Sequence, residues 1–186
     1  MTGNLYLVGY RGTGKSTVGR LLAVALGRPF VDLDERIEAD AGRSIAAIFV
    51  DEGEAGFRDR ETAALSDQSP LTVLERGPRG EVSSVIATGG GVVLREENRR
   101  ILKSTGFVIW LQAPAEILWE RIRADTLTAA RRPNLTSGGL GEIVELLAVR
   151  ERFYREVADA VVDAGGASPE AVADAILTLS RSSPSD

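Results

Sequence analysis

Residues 9–16 read GYRGTGKS, directly after the apolar run NLYLV. The pattern G-x-x-x-x-G-K-S constrains the fold more than any other stretch of the chain. Its glycines let the backbone turn so that successive N–H groups point at one anion. It needs a strand before it and a helix N-terminus after it, because the helix dipole adds favourable charge toward a phosphate. The flanking residues supply both. NLYLVGY is short and apolar and reads as a buried strand. Val18, Leu21, Leu22, Ala25 and Leu26 recur at helical spacing, and Gly27 is a natural stop. The expected nucleotide-binding set is Gly12, Thr13, Gly14, Lys15, Ser16 and Thr17. Lys15 would reach the β and γ phosphates, and Ser16 would ligate Mg²⁺.

The rest of the chain alternates in the same manner. Further strands are expected in RPFVDLD, SSVIAT, GFVIWLQA and DAVVDA. Helices are expected in SIAAIF, EAGFRDRETAAL, REENRRILKS, PAEILWERIRAD, LGEIVELLAVRERFYREVA and SPEAVADAILTLS. Ser44 and Ser168 are placed as N-caps. The pattern predicts one α/β domain over 1–180, three layers deep, around a mainly parallel five-stranded sheet. Residues 66–83 form a Pro- and Gly-containing connection. Residues 126–139, TLTAARRPNLTSGG, are polar, basic at their centre and glycine-terminated, as a mobile lid would be. Residues 181–186 are expected to be a disordered tail.

Bulk chemistry narrows the functional classes. The chain has 186 residues, no cysteine, no histidine and a net charge of −5. A general nucleic-acid binder would normally be basic. Without His or Cys, any general base is expected to be a carboxylate. No run is long enough for a membrane span and no signal peptide is evident, so a cytoplasmic protein is expected, acting as a monomer. Only two lysines occur, Lys15 and Lys103, and Lys15 lies in the glycine loop. An N-K-x-D element that would read guanine is absent, which disfavours a GTPase switch.

Acids and arginines beyond the loop carry the remaining signal. Asp32 and Asp34 in VDLD are expected to alternate along a strand and share a face beside the phosphate loop. Arg58 in GFRDRE could clamp a carboxylate through its planar fork, with Glu61 one helical turn away to hold it. GGG at 89–91 follows a strand and permits close backbone approach, but that strand lacks the acid of a Walker B element. Arg150 in RERFY sits on the long helix after the lid, and Arg132 precedes Pro133 within the lid.

Together the loop, DLD with AGRSIAAIF, GEAGFRDRE, ATGGGVV, RRPNL and LLAVRERFY resemble the shikimate kinase family over residues 4–180. The resemblance implies the nucleoside-monophosphate-kinase-like phosphate-loop fold. It also implies transfer of the ATP γ-phosphate to the 3-hydroxyl of shikimate, on the route to chorismate and the aromatic amino acids. It gives Asp32 a place near Mg²⁺ and Asp34 the acceptor hydroxyl. It gives Arg58 and Arg150 the substrate carboxylate, and Gly90 a backbone N–H contact to substrate. Phe49 and Phe57 become apolar walls, and Arg132 the lid arginine over the γ-phosphate, with the adjacent Arg131 a competitor for that role. The expected partners are therefore shikimate, ATP and Mg²⁺. Three departures stand out. RPNL replaces the commoner R-P-L-L. The lid looks longer than in short members, leaving Arg121 and Arg123 both candidates to stack on adenine. Ala167 or Ser168 occupies the place where the family often has a nucleotide-contacting arginine. The alternatives are another small-molecule kinase of the same fold, such as a gluconate kinase, or a non-catalytic ATP-binding switch.

Overall fold

The computed structural model describes residues 3–68, 83–124 and 139–182. The lid residues 126–138, Arg132 among them, lie outside the described residues, as do residues 69–82 of the connection and 183–186 of the tail. Five strands form the sheet: β1 (Asn4–Val8), β2 (Phe30–Asp32), β3 (Val85–Ala87), β4 (Gly106–Gln112) and β5 (Ala160–Asp163). Their order is β2-β3-β1-β4-β5, and every pairing is parallel. The expected five-stranded parallel sheet is therefore present. Seven α-helices accompany it among the described residues: α1 (Lys15–Leu26), α2 (Leu33–Ala41), α3 (Ile45–Asp67), α4 (Glu96–Thr105), α5 (Ala115–Ala124), α6 (Gly139–Val157) and α7 (Pro169–Ser182).

The three layers follow from side-chain alternation along β1. Leu5 and Leu7 face one side, packing with Val18 and Leu22 of α1 and Val172 and Ile176 of α7. Tyr6 and Val8 face the other, packing with Ile37 of α2, Phe57 and Leu65 of α3, Leu102 of α4 and Tyr154 of α6. Strands buried on both faces read as continuous apolar runs, which is why NLYLV shows no polar alternation. β1 lies at the centre, and the chain leaves it for opposite flanks of the sheet. This switch point is where open α/β sheets bind ligands, beyond the C-terminal ends of the strands.

Several ends match their sequence signals. Gly27 closes α1 in the left-handed conformation, with φ 64°. The Ser44 side chain accepts from the Ala47 N–H, and the Ser168 side chain accepts from the Ala171 N–H. The two expected segments SIAAIF and EAGFRDRETAAL form one run, α3, interrupted at Gly53 (φ 68°, ψ −175°). α7 runs on to Ser182, into the stretch expected as tail. No helix among the described residues is long and apolar enough to cross a membrane.

One expectation is corrected. Asp32 and Asp34 do not alternate along a strand, because β2 ends at Asp32 and Asp34 already lies in the first turn of α2. The cause is local. The Asp32 carboxylate accepts the N–H groups of Asp34 and Glu35, which N-caps α2 and ends the strand. The acids still sit next to each other, but on a strand-to-helix corner.

Candidate active site

The phosphate loop is built from glycines held in backbone conformations that side chains rarely adopt. Gly9 has φ 140°, and a Cβ there would lie 2.4 Å from the Leu111 carbonyl oxygen. Gly12 and Gly14 have φ of 83° and 86°, and Gly14 caps the start of α1. The Thr13 hydroxyl donates to the Tyr10 carbonyl at 2.9 Å, bracing the turn. The buried Lys15 ammonium donates to the Gly9 and Tyr10 carbonyls, each at 2.8 Å. The charge of Lys15 is thereby held over the loop. Thr17 is exposed on the first turn of α1.

Ser16 and Asp32 meet at the loop's far end. The Ser16 hydroxyl donates to Asp32 Oδ2 at 2.5 Å, while Asp32 Oδ1 caps α2. These are two hard oxygen donors beside the N-terminus of α1. No cluster of three or more metal-ligating side chains exists among the described residues. That donor set fits Mg²⁺, which keeps several waters and binds through one or two protein oxygens plus substrate phosphates. Asp34, half-buried, stands on the adjacent turn.

Arg58 is 7% exposed, so it is not a solvated surface arginine. Its Nη1 donates to Glu61 Oε2 at 2.7 Å and its Nη2 to Glu54 Oε1 at 3.2 Å. Glu61 is fully buried, and the i,i+3 spacing on α3 brings the pair together. The guanidinium lies against Gly91. A Cβ on Gly91 would stand 2.3–2.5 Å from Nη2, Nη1 and Cζ of Arg58. The ring of Phe57 stacks on that of Phe49 with centroids 4.7 Å apart, beside Arg58.

Arg150 is 6% exposed and donates from Nη1 to the Gly90 carbonyl at 3.3 Å. The Tyr154 hydroxyl donates to that same oxygen at 2.5 Å. Burial pushes the Tyr154 hydroxyl pKa well up from its ordinary value, so it stays a donor. Arg150 also lies over the Tyr10 ring, 5.5 Å from the centroid. The Gly90 Cα in turn packs on the phosphate loop, where a Cβ would lie 3.3 Å from the Arg11 nitrogen. The triple glycine is thus a plate between the loop, Arg58 and Arg150. On the other side of the loop, Arg121 donates to the Gly12 carbonyl at 3.4 Å and the Gly165 carbonyl at 3.1 Å. Of the two candidate adenine arginines, Arg121 is the one joined to the phosphate loop.

The structure brings Lys15, Ser16 and Asp32 together, and it gathers Arg58, Glu61, Phe57 and Phe49 on α3. It joins Gly90 to Arg150. Three features went unread in the sequence. Gly91 makes room for Arg58, and its only signal was being the third glycine of GGG. Tyr154 lies one turn after Arg150 on α6 and is given no role by the sequence. Arg11 pairs with Glu142 at 3.7 Å, and Glu142 is 1% exposed.

Comparison with known proteins points to one family. Residues 11–180 match the family model described as shikimate kinase. A shikimate kinase of Rhodopirellula baltica is 44% identical over 181 residues, covering 97% of this chain and 91% of the relative. A shikimate kinase of Symbiobacterium thermophilum is 51% identical over 156 residues, covering 83% of each. The solved structure of a shikimate kinase from Acinetobacter baumannii in complex with shikimate superposes with a TM-score of 0.84 at 39% identity. It covers 97% of this chain and 93% of that one.

Proposed function

The chain belongs to the shikimate kinase family, and from that premise we propose how its residues divide the work of phosphoryl transfer. The enzyme transfers the γ-phosphoryl group of ATP to the 3-hydroxyl of shikimate, giving shikimate 3-phosphate and ADP. The observation that supports the assignment of roles best is the glycine plate. Arg150 is bonded to the Gly90 carbonyl, Arg58 lies flat on Gly91, and Gly90 itself abuts the phosphate loop. Two buried guanidiniums therefore stand next to a triphosphate cradle. That is the arrangement an anionic acceptor needs.

In the reaction the bond between the γ-phosphorus and its bridging oxygen breaks. A new bond forms to the shikimate 3-oxygen, and the hydroxyl proton leaves. Asp34 orients that hydroxyl and accepts its proton. Arg58 and Arg150 clamp the carboxylate, and Glu61 keeps the Arg58 fork in register. Phe49 and Phe57 wall the ring, and the Gly90 N–H binds the substrate. The loop amides of residues 12–17 and the Lys15 ammonium hold the β and γ phosphates. Arg132, outside the described residues, is assigned to the γ-phosphate from the lid, and Arg121 to the adenine side. Mg²⁺ would be held by Ser16 and, directly or through water, by Asp32. The chemistry the ion supplies when bound is neutralisation of charge on the β and γ phosphate oxygens. Catalysis is then mainly positioning and charge stabilisation. ATP as donor points to a cytoplasmic enzyme, and the enzyme is proposed to act as a monomer.

The test is an ADP-release assay across shikimate, gluconate and nucleoside monophosphates. Turnover confined to shikimate is expected; equal turnover on gluconate would overturn the assignment. Calorimetry of shikimate with Arg58→Ala and Arg150→Ala tests the clamp. Unchanged affinity in both would remove the two arginines from the site.

A further inference from the structure

The phosphate loop touches α6 through two consecutive side chains. The Tyr10 ring lies under the Arg150 guanidinium. The next residue, Arg11, reaches Glu142 on the same helix, with Nη2 to Oε1 at 3.7 Å. Tyr10 is 2% exposed, and its hydroxyl lies within the electrostatic reach of Arg11, Arg150 and Glu142 at once. Burial raises its pKa, the two guanidiniums lower it, and the Glu142 carboxylate raises it. These four side chains are therefore one cluster. The buried Arg11 Nε makes no hydrogen bond. Its remaining side-chain partners are the Glu142 carboxylate at ion-pair range and the Tyr10 hydroxyl, so the guanidinium ties the loop to α6. The helix on the far side of the cluster carries Arg150, and the loop on the near side carries the nucleotide phosphates.

We propose that the Arg11–Glu142 pair is a positioning device that couples nucleotide binding in the phosphate loop to acceptor binding by Arg150. The inference rests on the assignment of Arg150 to the shikimate carboxylate. Phosphate binding orders the loop backbone at Tyr10–Arg11. Through Glu142 and the Tyr10 ring, that ordering holds α6, and with it Arg150, in the pose that meets a carboxylate. Coupling of this kind is reciprocal, so shikimate must strengthen nucleotide binding by the same factor. The pair needs no contact with either ligand. Arg11 and Glu142 are thus positioning residues, not catalytic ones.

The experiment is calorimetry of shikimate, with and without saturating ADP–Mg²⁺, on the full chain. The wild type is expected to bind shikimate at least about 5-fold more tightly with ADP–Mg²⁺ present. In Arg11→Met and in Glu142→Gln that factor should fall to within about 2-fold of one. Each affinity measured alone should stay within about 3-fold of wild type, and the double variant should lose no more than either single one. Arg11→Lys, which keeps the charge, should recover the coupling. A wild-type factor of one, an undiminished factor in both variants, or losses that simply add in the double variant would overturn the inference. So would failure of Arg11→Lys to do better than Arg11→Met. Arg150→Ala separates the inference from the site assignment. Unchanged shikimate affinity in Arg150→Ala defeats the assignment. Lost affinity there, with intact coupling in Arg11→Met, defeats the inference alone.

Discussion

Replacing Gly91 with alanine tests the site with one methyl group. The Gly91 backbone, at φ −105° and ψ 2°, accepts an L-residue, so the substitution adds no conformational strain. The new Cβ would, however, lie 2.3 Å from Arg58 Nη2 and 2.4 Å from Nη1. An ordinary non-bonded contact is about 3.5 Å, so the guanidinium must withdraw by roughly 1 Å. The guanidinium is the far end of a flexible side chain and can shift, but any shift disturbs its 2.7 Å bond to Glu61 and its pose in the site. A bond to a charged group is worth about 1.5–3 kcal/mol, and a 1 Å misplacement of a positioning group costs on the order of 100-fold. The expected result is a rise in shikimate KM of about 10- to 100-fold, with the ATP KM within about 2-fold of wild type. Steady-state kinetics with each substrate varied in turn is the assay, and circular dichroism melting checks the fold. An unchanged shikimate KM would refute the idea that Arg58 must lie flat on this glycine. A parallel rise in the ATP KM would show that the whole plate had moved instead.

Asp34→Asn should lower turnover by about 100- to 10,000-fold while calorimetry finds ADP–Mg²⁺ binding unchanged; activity within a few-fold of wild type would exclude a central role. Arg58→Ala should raise the shikimate KM too, but less cleanly, because it strips the 2.7 Å partner from the fully buried Glu61. A loss of about 3–5 kcal/mol in urea unfolding should accompany it, and an undiminished stability would mean that the pair is not coupled as drawn. Gly53→Ala should cost about 1–3 kcal/mol, since φ 68° with ψ −175° is open essentially to glycine alone. Nothing lies within 4 Å of the added Cβ, so the cost is conformational and should appear in denaturant melts.

The loop, its flanking strand and helix, the three-layer order and the roles of Ser44, Ser168 and Gly27 were legible because each depends on neighbours a few residues away. Hydrophobic period, cap chemistry and left-handed glycines act over one or two turns. The corner at Asp32 was equally local but was misread. The acid that looked like one of two on a strand face spends one carboxylate oxygen on capping α2 and the other on Ser16. Alternation along β2 could not be assumed once the residue at its end bonded its own backbone.

What the chain's letters determined alone is a phosphate-loop pattern at residues 9–16, set between a strand and a helix of a parallel sheet, with acids and arginines following in a recognisable order. What only the tertiary structure decided is how those groups meet. Gly90 and Arg150 lie sixty positions apart in the chain, as Gly90 and Tyr154 are sixty-four apart. Glu142 meets Arg11 although most of the chain lies between them in sequence. No local period encodes such contacts. They exist because burial of both sheet faces brings α3 and α6 onto the same side of β1, and there Gly90 and Gly91 allow close approach to the phosphate loop and to Arg58.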